Sequence, residues 1–397
     1  MKQFAICWIP CHGFIRQLIN HISATGCSNA LFGADAMQDV RLKKVMIRGF
    51  RSIKDCTIDL GSINVLIGPN GSGKSNFISA LFFLQNILDK NLQRAVGIAG
   101  LPSLLYGGMK KTKIIEMEFF FDNNSYGFQL VPNDSGNLVF SSEYYGWNDV
   151  HTPVRRQVPY GFESEYEKGV PNRIDPYVRP VLEARKWRVY HFHDTTASSG
   201  MKQAGMLSDS VFLHHDASNL APFLYMVKKS HSDSYSDIVR AVRLVAPYFE
   251  DFVLEPNAEN NEIILLRWKQ VGLDEVLGAN QLSDGTIRFI CLAVLLLQPP
   301  ELQPSAIILD EPELGLHPYA ISLFSELVHR VSADKQLIIS TQSAEILDYF
   351  DADDIIVAEL TSDGSKYSRL SSEKLRDWLD EYTLSAVWKK NVFGGQP

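Results

Sequence analysis

Eight consecutive residues, Gly68-Pro69-Asn70-Gly71-Ser72-Gly73-Lys74-Ser75, carry the spacing G-x-x-x-x-G-K-[ST]. Glycines at these positions let backbone N–H groups close around phosphate oxygens. Lys74 can reach β- and γ-phosphates, and the Ser75 hydroxyl is placed to ligate a magnesium ion. Asn70, Gly71, Ser72, Gly73, Lys74 and Ser75 form the loop, and Asn76 follows in the helix, so these seven positions are the candidate nucleotide-binding segment. A chance Gly-rich turn is the competing interpretation. The flanks argue against it: Ser62 to Ile67 enters as a short apolar strand, and Asn76 to Leu84 leaves with helical spacing of apolar residues. Strand, loop and helix in that order predict binding of a nucleoside triphosphate.

A second set of chemical groups lies more than 200 residues on. Ser305 to Glu311 is an apolar, buried-type strand that ends in two acids, Asp310 and Glu311. In a parallel sheet ligands bind beyond the carboxyl ends of the strands, where such acids belong. Asp310 can hold a metal ion, and Glu311, one residue further, can orient and deprotonate a water. A purely structural pair of acids is the plain alternative, weakened because a phosphate loop needs an acidic partner of this kind. Gln336 to Ser340 makes another apolar strand, and Gln342 just beyond it can offer its amide to a γ-phosphate or to the water.

The intervening chain must position these groups. Leu42 to Phe50 and Cys56 to Leu60 alternate as two strands joined by Arg51 to Asp55, and Gly97 to Gly108 is a loop by composition. Ile114 to Phe121 with Tyr126 to Val131 forms a hairpin, Leu138 to Tyr145 adds a strand, and Asn148 to Lys186 loses all period. Trp187 to Phe192 is a strand, Asn219 to Lys229 and Ser236 to Val245 are helices, and Phe252 to Glu255 pairs with Ile263 to Trp268. A strongly apolar helix follows Leu282, a second runs from Tyr319 to Val331, and Asp354 to Ala358 is a final strand. His191 and His193 share one strand face beside Asp194, which permits a metal reading; plain packing is the commoner use of such residues, and they stay unassigned.

Composition narrows the class. The chain of 397 residues is 45% hydrophobic, enough for a sizeable core, and Lys+Arg 38 against Asp+Glu 46 gives a net charge of −8. No global basic field announces a nucleic-acid partner, so any DNA contact is local. The five cysteines, Cys7, Cys11, Cys27, Cys56 and Cys291, are scattered and odd in number, which fits a reducing cytoplasm. Cys7 and Cys11 with His12 or His21 lack a second ligand pair at finger-like spacing, which argues against zinc. No apolar run reaches the roughly 18 residues of a membrane span, and the first 36 residues make a poor signal peptide, so a cytoplasmic protein without a membrane partner is expected.

Taken together and in this order, GPNGSGKS, LSDGTIRF, IILDEPELGLHP and LIISTQS resemble the phosphate-loop, signature, acid-strand and switch motifs of ABC-type ATPase heads. The opening IRGFRSIKD and the form DEPELGLHP are most similar to the RecF and SMC (structural maintenance of chromosomes) group. The short chain, without sustained heptads, looks like the small stand-alone ATPases of that group, often classed loosely as AAA-type. The resemblance covers roughly residues 42 to 397, with its specific motifs within 42–77 and 281–345. It implies an α/β fold, a P-loop NTPase ABC-type head with an antiparallel β lobe and a mostly parallel central sheet flanked by helices. It also implies ATP and Mg2+ as cofactors, Lys74 and Ser75 on the phosphates and magnesium, Asp310 on the metal, Glu311 as general base, and Arg51 on nucleotide phosphates. Further, it implies a homodimer with ATP sandwiched between heads, in which Ser283 and Gly285 of the signature complete the site of the opposite copy.

Two departures stand out: Gln342 occupies the switch position usually held by histidine, which predicts slow turnover, and the glutamine loop has no recognisable counterpart. The expected organisation is an extension over 1–41, the first part of the head over 42–147, an insertion with a helical and β lobe over 148–275, and the second part of the head over 276–397. Three functions compete: an ATP-dependent switch in DNA repair or antiphage defence that controls DNA or a separately encoded effector such as a nuclease, the ATPase subunit of an ABC transporter, and a small kinase. LSDGT, Gln342 and the β-rich insertion count against transport, and the signature has no purpose in a kinase. Basic clusters at Lys110-Lys111-Lys113, Arg155-Arg156, Arg185-Lys186-Arg188 and Lys389-Lys390 are short enough to be a solvated face, and the tail over 370–397 either docks an effector or packs on the head.

Overall fold

Apolar residues on both faces of a strand demand cover on both sides. The central sheet meets that demand. The computed structural model, which describes residues 41–121, 124–148, 153–157, 161–165 and 187–394, orders it as Gly364–Arg369, Ile355–Thr361, Ile63–Ile67, Gln336–Thr341, Ala306–Asp310 and Arg188–Tyr190. Five of the six strands run parallel, and only the edge strand Gly364–Arg369 is antiparallel to its neighbour. Alternate residues feed two cores: Ile63, Val65, Ile67, Ile307 and Leu309 point into one, and Leu66, Ile308, Ile338 and Ile356 into the other.

The second core lies under an antiparallel sheet ordered Ile53–Asp59, Lys44–Phe50, Ile115–Phe120, Asn124–Pro132, Leu138–Asn148 and Pro153–Gln157. Between the sheets runs the loop helix, Lys74–Leu88, whose Phe77, Leu81, Leu84 and Leu88 are buried while Ser75 and Phe82 face outward. On the opposite face of the central sheet the helix Asp284–Leu297 is buried from Thr286 to Leu297, with Pro318–Val331 and Ser232–Val245 packed around it. The fold is therefore α/β, with an antiparallel lobe and a mostly parallel sheet flanked by helices.

Several local expectations are corrected. The first two strands meet in a tight turn at Arg51-Ser52 with Arg51 at φ 50°, and the second strand already begins at Ile53. Most of the expected loop from Gly97 is helical: Leu92–Ala99 and Leu101–Leu104 form because Leu92, Val96, Leu101 and Leu104 find a core to bury in, which outweighs the glycines. Ile263–Ile264 pairs with Gly205–Met206, while Phe249–Val253 pairs with Arg267–Gln270. The strand Gly364–Arg369 carries no apolar alternation that announces it. The tail packs on the head, with Leu384, Val387 and Trp388 buried and Ser385 bonded through N and Oγ to Asp348 at 2.7 and 2.6 Å. Residues 1–40, with Cys7, Cys11, Cys27, His12 and His21, and most of 149–186, lie outside the described residues, as do the side chains of Arg155 and Arg156. Leu292, fully buried mid-helix, tests the packing: Leu292→Ala should lower unfolding free energy by about 3 kcal/mol in urea titration.

Candidate nucleotide site

Parallel register brings the chemical residues to one edge. Thr341 pairs with Ile67 and Asp310 with Ser340, so the chain leaves three neighbouring strands as Gly68, Glu311 and Gln342 at nearly the same height. Gly68 has no room for a side chain: a Cβ there would stand 2.3 Å from the Ala358 carbonyl oxygen. Gly73 has φ 107°, and its carbonyl accepts from Tyr367 Oη at 2.7 Å; a Cβ there would meet the Ser365 hydroxyl at 2.1 Å. Thus the late strand Gly364–Arg369 braces the loop from outside.

The start of the loop helix is open to an anion. It has no capping side chain and no acid in its first turn, and Ser72 Oγ is buried without a hydrogen-bond partner. These features fit a polyphosphate. Lys74 is buried, and its Nζ donates to the carbonyls of Gly68 at 2.7 Å and Pro69 at 3.1 Å. Burial lowers its pKa below the ordinary lysine value, opposed by the carboxylates of Glu311, Asp310 and Glu313. Asn76 Nδ2 donates to Ser52 Oγ at 2.6 Å, which ties the loop helix to the turn bearing Arg51. Arg51 Nε is buried without a partner, and burial lowers that guanidinium's pKa. Both Arg51 and Ser72 thus keep polar atoms in reserve beside the loop.

Glu311 and Gln342 are brought into direct contact: Gln342 Nε2 donates to Glu311 Oε1 at 2.6 Å, and the Glu311 amide donates to the Ser340 carbonyl at 2.8 Å. Glu311 holds φ 46°, a left-handed conformation that costs a non-glycine residue about 1–2 kcal/mol. That conformation turns the chain after Asp310.

Ser283 and Gly285 sit elsewhere. Ser283 caps the helix Asp284–Leu297, accepting from Thr286 N at 3.2 Å, and its hydroxyl meets Thr286 Oγ1 at 2.8 Å, which in turn meets Tyr248 Oη at 3.0 Å. Gly285 lies against Gly315, where a Cβ would stand 2.6 Å from the Gly315 oxygen. Arg288 secures this corner: its guanidinium donates to the carbonyls of Phe192 at 2.9 Å, His193 at 3.1 Å and Leu314. His193 Nε2 lies 2.8 Å from the Asp310 carbonyl. Sequence reasoning left His193 unassigned and missed Arg288, Tyr248 and the buried Glu313, because their significance lies in contacts across the fold. Among the described residues no group of three or more His, Cys, Asp or Glu side chains is arranged to hold a metal, and no helix is long and apolar enough to cross a membrane.

A phosphate loop facing two acids and a glutamine at the edge of a parallel sheet defines the head of a P-loop ATPase of the ABC type. The family model described as "AAA domain, putative AbiEii toxin, Type IV TA system" matches residues 63–348, more than half of the chain, and the chain belongs to this family. The Chromosome partition protein Smc of Methanocaldococcus jannaschii is 30% identical over 100 residues, 25% of this chain and 8% of that protein. The DNA replication and repair protein RecF of Vibrio campbellii is 50% identical over 44 residues, 11% of this chain and 12% of RecF. The chain therefore matches about a tenth of the length of these curated relatives. Among solved structures, an Smc head bound to the C-winged helix domain of ScpA superposes with TM-score 0.57 at 16% identity, covering 85% of this chain and 99% of that one. An Smc head with an extended coiled coil, bound to the C-terminal domain of ScpA from Pyrococcus furiosus, gives 0.56 at 15% identity, covering 86% and 99%. The fold is that of SMC ATPase heads, and the chain is an ABC-type head of the RecF/SMC-like group.

Lys74 provides a test of the site's electrostatics. Its amine binds a proton less tightly in the folded state than in the unfolded chain, so at neutral pH the charged form opposes folding, and the penalty fades as pH rises from the lowered folded value toward the ordinary lysine value. Lys74→Met should leave the melting temperature of nucleotide-free protein at pH 7 equal to or above the parent's. The same variant should lose the melting-temperature rise that saturating Mg-ATP gives the parent.

Proposed function

We propose that this chain binds and hydrolyses ATP and that its ATP-bound form pairs with a second copy, so that nucleotide state sets assembly state. The contact between Gln342 and Glu311 at 2.6 Å, at the strand edge whose acids act on Lys74, carries the reading. It pairs the proposed general base with an amide at the strand edge next to the loop, where an attacking water would lie. Lys74 would leave the Gly68 and Pro69 carbonyls for the phosphates, with Arg51 and the loop amides of residues 70–76 completing the cradle. Ser75 and Asp310 would hold the magnesium ion, which would neutralise charge on the phosphates. Gln342 has no proton to gain near neutral pH, so activity should depend little on its own titration.

The dimer rests on the signature corner. Ser283 bonds within its own turn and to Thr286 instead of to the phosphate loop, which supports a role toward another copy's nucleotide. Partners follow from relatives. The Smc heads were solved bound to ScpA, which supports a separately encoded partner or effector, a nuclease being the class we favour. The names of Smc and RecF support a place in DNA maintenance or repair, and the toxin of a Type IV system in the family description supports antiphage defence. Surface charge adds little to the DNA reading: Lys111 Nζ stacks over Tyr106 and Lys113 Nζ donates to the Met109 carbonyl. The cytoplasm is the compartment we assign.

Glu311→Gln separates binding from chemistry. Its steady-state ATP hydrolysis should fall by about 100-fold or more, and light scattering should show its mass doubling only when Mg-ATP is added. A mass unchanged by ATP would remove assembly as the signal.

A further inference from the structure

Glu313, two residues beyond Glu311, is a buried acid for which the reading above has no use. It is 7% exposed, in a loop where an exposed or apolar residue would cost less. Its Oε1 accepts a hydrogen bond from Thr341 Oγ1, and its Oε2 is buried with no partner. Thr341 is the last residue of the switch strand, and its Oγ1 also accepts from the Ser343 amide at 3.0 Å. One carboxyl group therefore ties the loop after Asp310 to the turn Thr341–Ser343 that carries Gln342.

Three ties now cross between the same two strand ends: the Glu311 amide to Ser340, Gln342 to Glu311, and Thr341 to Glu313. The middle one is the exposed contact between two long side chains. Left to itself it is worth little, because both side chains lose rotamer freedom to make it. Of the outer two, one joins the backbones of Glu311 and Ser340 and the other joins the buried side chains of Thr341 and Glu313, so they flank the Gln342 contact on both sides. Plain packing is the competing account of Glu313, but a threonine–glutamate pair is a poor filler: its second oxygen lacks a partner, and burial holds the carboxyl's pKa above the ordinary value. Glu313 also contributes, with Glu311 and Asp310, to the field at Lys74.

We propose that Glu313 is a positioning residue of the hydrolytic site, holding the switch turn through Thr341 so that the Gln342 amide meets Glu311. This rests on the reading that Glu311 and Gln342 act on the attacking water. A displacement of about 1 Å in such a pair is worth up to about 100-fold in rate. The test compares ATP turnover and nucleotide affinity of the full chain in the parent, Glu311→Gln, Glu313→Ala, Thr341→Val, the Glu313→Ala/Thr341→Val double variant and Glu313→Gln. Glu313→Ala and Thr341→Val should each lower kcat by about 10- to 100-fold with KM and nucleotide affinity little changed. The double variant should be no slower than the slower single one, since both break the same tie. Glu313→Gln should recover most of the rate, because its amide oxygen can still accept from Thr341. Thr341→Val, nearly isosteric, carries the test if Glu313→Ala does not fold. Parental turnover with unimpaired Glu313→Ala, losses that multiply in the double variant, or a Glu313→Gln as slow as Glu313→Ala would each overturn the assignment alone. A parent no faster than Glu311→Gln would bring down the hydrolytic reading together with it.

Discussion

The parallel register that brings a buried lysine and three carboxylates to one sheet edge is the constraint on which the rest of this structure depends. Lys74 is inside the protein, and Asp310, Glu311 and Glu313 all act on it. An ammonium of this kind is costly to bury, and the three carboxylates offset part of that cost without removing it, so the lysine stays below its ordinary pKa. Because the lysine follows one strand of the central sheet and the acids follow another, the charge balance holds only while the parallel register between Ile63–Ile67, Gln336–Thr341 and Ala306–Asp310 is kept. A slip of one residue would reverse the alternation that feeds the two cores, so the cores protect the register and the register protects the site.

Part of the backbone strain lies beside the site: of the five non-glycine residues with positive φ among the described residues, Arg51 stands in the turn tied to the loop helix and Glu311 at the end of the acid strand. For Arg51 and Glu311 that conformation is unfavourable on its own. The surrounding contacts impose it: the Arg51 amide donates to Leu104 at 2.8 Å, and the Glu311 amide donates to Ser340 at the same distance. Strained turns that are over-determined by their neighbours aim side chains that a relaxed turn would leave to wander.

What the sequence made legible follows the range of the interactions involved. The phosphate loop, the acids at Asp310 and Glu311 and the apolar helix after Ser283 are spelled out by neighbours in the chain, and they lie where their motifs imply. The helix Leu92–Ala99 was hidden because Gly97 and Gly100 advertise a loop locally, while Leu92, Val96 and Leu101 answer to a core assembled from elsewhere. The strand Gly364–Arg369 was hidden for a related reason: as an antiparallel edge it buries few residues, and its role in bracing Gly73 depends on Tyr367, almost 300 residues away in sequence. Glu313 gives no local sign of its role, because nothing adjacent to it in the chain betrays its contact with Thr341. Charge type and spacing identify a site's local half, and the packed fold supplies the other half.

The starts of the loop helix and of the helix Asp284–Leu297 differ in a way that bears on the proposed cycle. The loop helix begins without a cap or an acid, so its positive end is available at once to phosphate. The signature helix begins already satisfied, with Ser283 bonded to the Thr286 amide and Asp284 in its first turn, 3.5 Å from the Lys202 ammonium. An anion approaching that second end meets a carboxylate and a used cap, so it gains less there than at the loop. Under the switch reading this asymmetry orders the events. Nucleotide is taken up by the loop of one copy first, and the signature end of the other adds a smaller attraction afterwards, spread over Ser283 and the backbone of Gly285. Association driven by such a modest increment is readily reversed once the γ-phosphate is gone, which is the behaviour a switch requires.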